Sequence, residues 1–141
     1  MKSLLLLPIL AIVFSDAHAD AGCERLALDP EVPAGIDGRY EIVGKDPLTG
    51  NGYTGTLAVA LGKNSYTLAR TVGTDTVRGE AWFERCGVDR IMMLVVRYRA
   101  EPAIAAVCFN RSDADNYYRM SCRTRQGGSG RSGLEAWFQQ E

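Results

Sequence analysis

From Gly35 onward, apolar and polar residues alternate with a period of two, and Gly, Asn, Asp and Pro interrupt the alternation every ten residues or so. The pattern predicts eight strands: Arg39 to Val43, Tyr53 to Leu61, Ser65 to Val72, Val77 to Arg85, Arg90 to Arg99, Ala103 to Asn110, Tyr117 to Thr124 and Ser132 to Gln139. Gly50-Asn51-Gly52, Gly62-Lys63-Asn64, Gly73-Thr74-Asp75 and Gly87-Val88-Asp89 fall between strands and supply the backbone freedom that tight hairpins need. Past the first twenty residues or so, no window has the 3.6-residue period of a helix over a useful length.

Strand parity assigns the faces. Leu57, Val59 and Leu61 share one side, as do Tyr66, Leu68 and Val72, then Val77, Ala81 and Phe83, and finally Leu134, Ala136 and Phe138. One apolar face per strand is what an antiparallel sheet wrapped round a single core requires. The expected fold is therefore an all-β, eight-stranded antiparallel meander closed as an up-and-down barrel, since closure removes exposed strand edges; a two-sheet sandwich is the alternative. Gly79-Glu80-Ala81-Trp82-Phe83 has an echo in Glu135-Ala136-Trp137-Phe138, which would place matching strands on opposite sides of such a barrel. By the same parity Trp82 and Trp137 face outward, where exposed aromatics serve as interface anchors; packing against the N-terminal arm is the other reading for them.

The N-terminus changes the picture. Lys2, the apolar run Leu4 to Phe14 and the small-x-small sequence Ala17-His18-Ala19 read as a cleaved signal peptide over residues 1–19; the run is too short to serve as a stable membrane span. A lipid-modified Cys23 lacks the preceding leucine such signals carry. Residues 20–34, with Pro30 and Pro33, then form an extended arm, and residues 35–141 the barrel domain. Cleavage removes the lone histidine, His18, and with it every triad or metal site that depends on imidazole. The expected location is the periplasm or outside the cell.

Charge adds little: the net charge is −1, so no bulk attraction to nucleic acid follows. The cations are nearly all arginine, either for interface hydrogen bonding or from GC-rich codon usage. Four cysteines in an exported chain read as two disulfides, and with no C-x-x-C pair or histidine a zinc site is disfavoured. Face sharing pairs Cys108 with Cys122 on adjacent strands, leaving Cys23 to tie the arm to Cys86.

The candidate sites are few. Arg70 lies on the inward face with Leu68 and Val72, either as an anchor for an anionic ligand or as a strand-end cation reaching solvent; a carboxylate partner, Glu80 or Glu84, would need a one-residue shift of register. Arg123, Arg125 and Arg131 belong to a glycine-rich basic loop that could bind phosphate or carboxylates, or serve simply as a long hairpin loop. Asp113, Asp115 and Asn116 offer calcium ligands but lack the glycine and distal glutamate of the helix-loop-helix motif, so a plain turn is expected; Asn110-Arg111-Ser112 has the form of a glycosylation sequon. No paired carboxylates or activated nucleophile stand out, and neither an enzyme nor a cofactor is expected.

Asp37-Gly38-x-Tyr40-x-x-Val43-Gly44, Thr49-Gly50-x-x-Tyr53-x-Gly55-Thr56-Leu57 and Tyr66-x-Leu68 resemble small exported bacterial β proteins with a lipocalin-like or avidin-like meander, over residues 37 to 83. Size, export signal and strand number also resemble the periplasmic C-type lysozyme inhibitors, whose Ser-Gly and nearby Tyr compare with Gly50 and Tyr53; their second, lysine-bearing loop has no counterpart. The resemblance implies a protein that engages a partner, such as a host lysozyme, through a loop. The expectation is thus an exported, non-enzymatic binding protein acting on another protein through its loops and aromatics, with a carrier of a small apolar or anionic ligand as the alternative.

Overall fold

The computed structural model describes residues 22–28, 35–110 and 119–141. The expected signal peptide with His18, residues 29–34 of the expected arm, the calcium and sequon positions Arg111 to Asn116, and Tyr117 and Tyr118 lie outside the described residues.

Among the described residues nine strands run in sequence: β1 (Cys23–Arg25), β2 (Gly38–Lys45), β3 (Gly52–Leu61), β4 (Tyr66–Val72), β5 (Asp75–Cys86), β6 (Ile91–Tyr98), β7 (Ile104–Asn110), β8 (Arg119–Gln126) and β9 (Ser132–Gln139). From β2 to β9 each strand pairs antiparallel with the next, and β9 pairs back onto β2, with Ile42 opposite Trp137, to close an eight-stranded barrel. The closed meander is the expected one. Gly73, with a φ of 60°, and Thr74 form the two-residue link between β4 and β5, where a side chain at that φ would be strained.

The arm departs from the expectation. Cys23 to Arg25 form a short strand on the C-terminal end of β5, with Cys23 opposite Cys86. β5 is long enough to offer this edge because its pairing with β4 ends at Ala81. Both expected disulfides are present, Cys23–Cys86 and Cys108–Cys122, each joining residues directly opposite on neighbouring strands.

The barrel interior is divided along its axis. One end is filled: Tyr40, Ile42, Leu57, Val59, Tyr66, Leu68, Phe83, Leu94, Val96, Met120, Trp137 and the Cys108–Cys122 bridge form one buried cluster, capped by Ile36. Tyr40 donates to the Ile36 carbonyl at 2.7 Å and meets Trp137 edge-on, with ring centroids 5.8 Å apart. Each large apolar side chain buried here contributes roughly 1.5–3 kcal/mol relative to exposure. The other end, where β2, β4, β6 and β8 finish, is not filled this way.

The face assignment needs correction in β9. Glu135 and Trp137 point inward and Trp137 is fully buried, while Leu134 is 61% exposed. The strand alternates as expected but in the opposite phase, so the echo between β5 and β9 does not extend to their faces: Ala81 and Phe83 are inward in one, Glu135 and Trp137 in the other. Two demands decide the phase. Trp137 fills the barrel beside Tyr40, and Glu135 reaches Arg70. Leu61, expected inward, is partly exposed at the end of β3.

Candidate functional site

The unfilled end of the barrel is a cup of about 580 Å³. Its wall is apolar along Val72, Val77 and Ile104, and its base is polar, formed by Tyr53, Arg70, Tyr98, Thr124 and Glu135. Small inward residues keep the space open. A methyl group on Gly44 would collide with the Tyr53 ring, and one on Gly79 with Tyr98 and the Arg97 carbonyl. One on Gly133 would strike Thr124 and the Lys45 carbonyl. Glycine at these positions lets two tyrosine rings lie against bare backbone.

Glu135 organises the base. Its Oε2 accepts from Arg70 Nε at 2.9 Å, Arg70 Nη2 at 2.8 Å and the Tyr53 hydroxyl at 2.8 Å; its Oε1 accepts from Trp137 Nε1 at 2.7 Å. The Glu135 side chain is 1% exposed and that of Arg70 12%. The guanidinium also lies over the rings of Tyr53 and Tyr98, 4.9 and 5.7 Å from their centroids. Burial works against the Arg70 charge, but the Glu135 carboxylate beside it holds its pKa above the usual arginine value. Burial, with the same carboxylate, pushes the Tyr53 and Tyr98 hydroxyls up, so both are neutral across the ordinary pH range.

The hydroxyls of Tyr98 and Thr124, each residue 3% exposed, have no hydrogen-bond partner among the described residues. A buried hydroxyl left unpaired costs about 1–3 kcal/mol. Carboxylates ring the mouth: Asp46, Asp75 and Glu101 all line it. Asp46 is fixed in place, its Oδ1 accepting the backbone N–H groups of Thr49 and Leu48 at 2.8 Å each, and the Thr49 bond leads in holding its pKa below the usual aspartate value despite some burial.

The predicted site residues divide among several places. Tyr53 and Arg70 meet at the base of the cup, and Trp137 lies beneath it as a donor to Glu135 rather than on the outer surface. Arg70 is thus partnered across the barrel interior by Glu135, not by Glu80 or Glu84 on the adjacent strand. Gly50 and Arg131 sit on loops at the mouth, and Arg131 donates to the Leu48 carbonyl at 3.4 Å. Arg123 and Arg125 are strand residues of β8, exposed on the outer face, because β8 runs on to Gln126 and shortens the basic loop. Trp82 does lie on the outer side of β5, yet it is only 7% exposed: the Arg25 and Arg97 guanidiniums lie 4.4 and 5.3 Å from its ring, and its Nε1 donates to Glu84 at 2.7 Å.

Glu135, Tyr98 and Thr124 escaped the reading of the sequence. The available signal was Trp137: placing that large ring inside forces Glu135 inside too, where Arg70 already needed a partner. Comparison with protein-family models, curated proteins and solved structures gave no match, so what the chain does must be read from the cup itself.

Proposed function

We propose that this chain is an exported, non-enzymatic binding protein that holds a small molecule in the open end of its barrel. The observation that carries the reading is the division of the interior. A barrel built only as a rigid protein partner has no need of a 580 Å³ cup, and that volume lies in the range of small-ligand sites, roughly 300–1,000 Å³. One apolar wall, a polar base and hydroxyls awaiting partners are the composition of such sites. The two disulfides suit an oxidising compartment. Engagement of a protein such as lysozyme has less to work with, since Trp137 is interior and Trp82 is covered by two arginines.

Native mass spectrometry of protein purified without denaturation tests the reading. A small molecule should be retained in the native spectrum and shed on denaturation, and Val77→Trp, which fills the cup, should abolish it. Retention undiminished in the filled variant, or no adduct at all, would rule the reading out.

A further inference from the structure

We infer that the cup selects an organic cation, a molecule with an ammonium-type group at the mouth and a compact apolar or aromatic body inside. The inference rests on the binding role proposed above and adds the chemical class of the ligand. One reading of the sequence made Arg70 the anchor of an anionic ligand, the other a strand-end cation reaching solvent. That arginine is committed: its Nε and Nη2 both bond Glu135 Oε2, and the rings of Tyr53 and Tyr98 lie against it. Once this pair is counted as neutral, the charged groups left on the lining are the carboxylates of Asp46, Asp75 and Glu101. Lys45, Arg99 and Arg131 also lie at this end of the barrel but do not line the cup. Arg131 instead turns to the Leu48 carbonyl.

An anion entering the cup must pass three like charges and finds Arg70, the cation of the described lining, already bonded. A cation meets the opposite field at the mouth, while its body leaves water against Val72, Val77 and Ile104. The acidic rim alone would be an ordinary solvated surface. The cavity beneath it, and the unpaired hydroxyls of Tyr98 and Thr124 in the cavity wall, are independent signs that this end of the barrel receives a molecule.

Three probes with the same phenol body separate the alternatives: tyramine, which is cationic, tyrosol, which is neutral, and 4-hydroxyphenylpropionate, which is anionic. Each is titrated calorimetrically into the oxidised protein at low salt. Tyramine should bind on the order of tenfold more tightly than tyrosol, a difference of about 1.4 kcal/mol, and the anion most weakly. Because the rim is open to solvent, the preference should shrink at about 1 M salt, where the screening length is roughly 3 Å. Asp75→Asn combined with Glu101→Gln should bring tyramine and tyrosol to within about threefold. Both residues are exposed, so the fold should tolerate the change. Binding of the anion or of tyrosol as tight as that of tyramine, or a preference that survives both salt and the rim variant, overturns the cation assignment while leaving the cup as a site. Failure of all three probes to bind would overturn the assignment of a cation with a compact aromatic body, while the binding role itself stands or falls with the native mass spectrum.

Discussion

Glu135 shows how much one side chain can decide. It is a carboxylate in a barrel interior, and it is tolerated there because four donor groups on Arg70, Tyr53 and Trp137 converge on its two oxygens. Taking an ion pair out of water costs several kcal/mol per ion, and only such saturation offsets it. Removing one member should therefore hurt more than removing both. Glu135→Leu strands a guanidinium and two donors, while Arg70→Leu leaves the carboxylate with its two neutral donors; each should cost roughly 3–5 kcal/mol, with Glu135→Leu the worse. The double replacement, which buries apolar groups in place of the pair, should cost clearly less than the sum. Urea unfolding of the wild type, both single variants and the double variant gives the coupling. Additive losses would mean that the pair does not act as a unit.

At the scale of elements, β1 is, among the described residues, the one strand held from outside the barrel. It has three residues, a disulfide from Cys23 to Cys86, a bond from the Leu26 N–H to the Phe83 carbonyl at 2.9 Å, and the Arg25 guanidinium on Trp82. A three-residue strand supplies little pairing energy, so the bridge, spanning 63 residues, should hold it there. Replacing Cys23 and Cys86 by Ser should remove about 4 kcal/mol on the chain-entropy account and shift tryptophan emission to the red as water reaches Trp82, with Trp137 silent inside the barrel. Arg25→Ala should give a smaller shift with the bridge intact. Unchanged emission in the disulfide-free protein would show that β1 stays docked without its bridge. Strand positions, hairpins and the Cys108–Cys122 pairing were legible in the sequence because each is written locally, in turn residues and alternation; Cys23–Cys86 followed by elimination, and closure from the need to cover strand edges. The β1 strand was not, since three residues rich in charge carry no alternation of their own. Nor was the phase of β9, where Leu134, Ala136 and Phe138 outnumber the apolar residues of the opposite face, and the deciding contact, from Arg70 to Glu135, joins residues 65 apart. Local pattern cannot report such a contact, so the base of the cup stays hidden in the sequence although Tyr53 and Arg70 are visible there as candidates.

The molecule as a whole pairs an oily, bridged end with a polar cup. Tyr53 and Tyr98 stand at the boundary between them, and burial raises the pKa of both above the ordinary tyrosine value. In the unfolded chain tyrosine ionises near pH 10. Below that pH both states keep the proton, and the protonated hydroxyls suit the folded barrel. Above it the unfolded chain gives up protons that the barrel retains, so the unfolded state binds fewer protons and folding stability falls as the pH climbs. The barrel should thus lose stability from about pH 10 upward, and these two phenols should ionise only as it opens. Absorbance at 295 nm followed alongside far-ultraviolet circular dichroism checks this. A late ionisation phase should coincide with loss of the sheet signal, and Tyr98→Phe should shrink that phase by one tyrosine. Tyr53→Phe should shrink it equally while also freeing one acceptor site on Glu135, so it should lower the unfolding midpoint at neutral pH as well. Ionisation of every tyrosine near pH 10 with the sheet signal intact would mean that the base of the cup is open to water, and that Glu135 and Arg70 are not sealed beneath it.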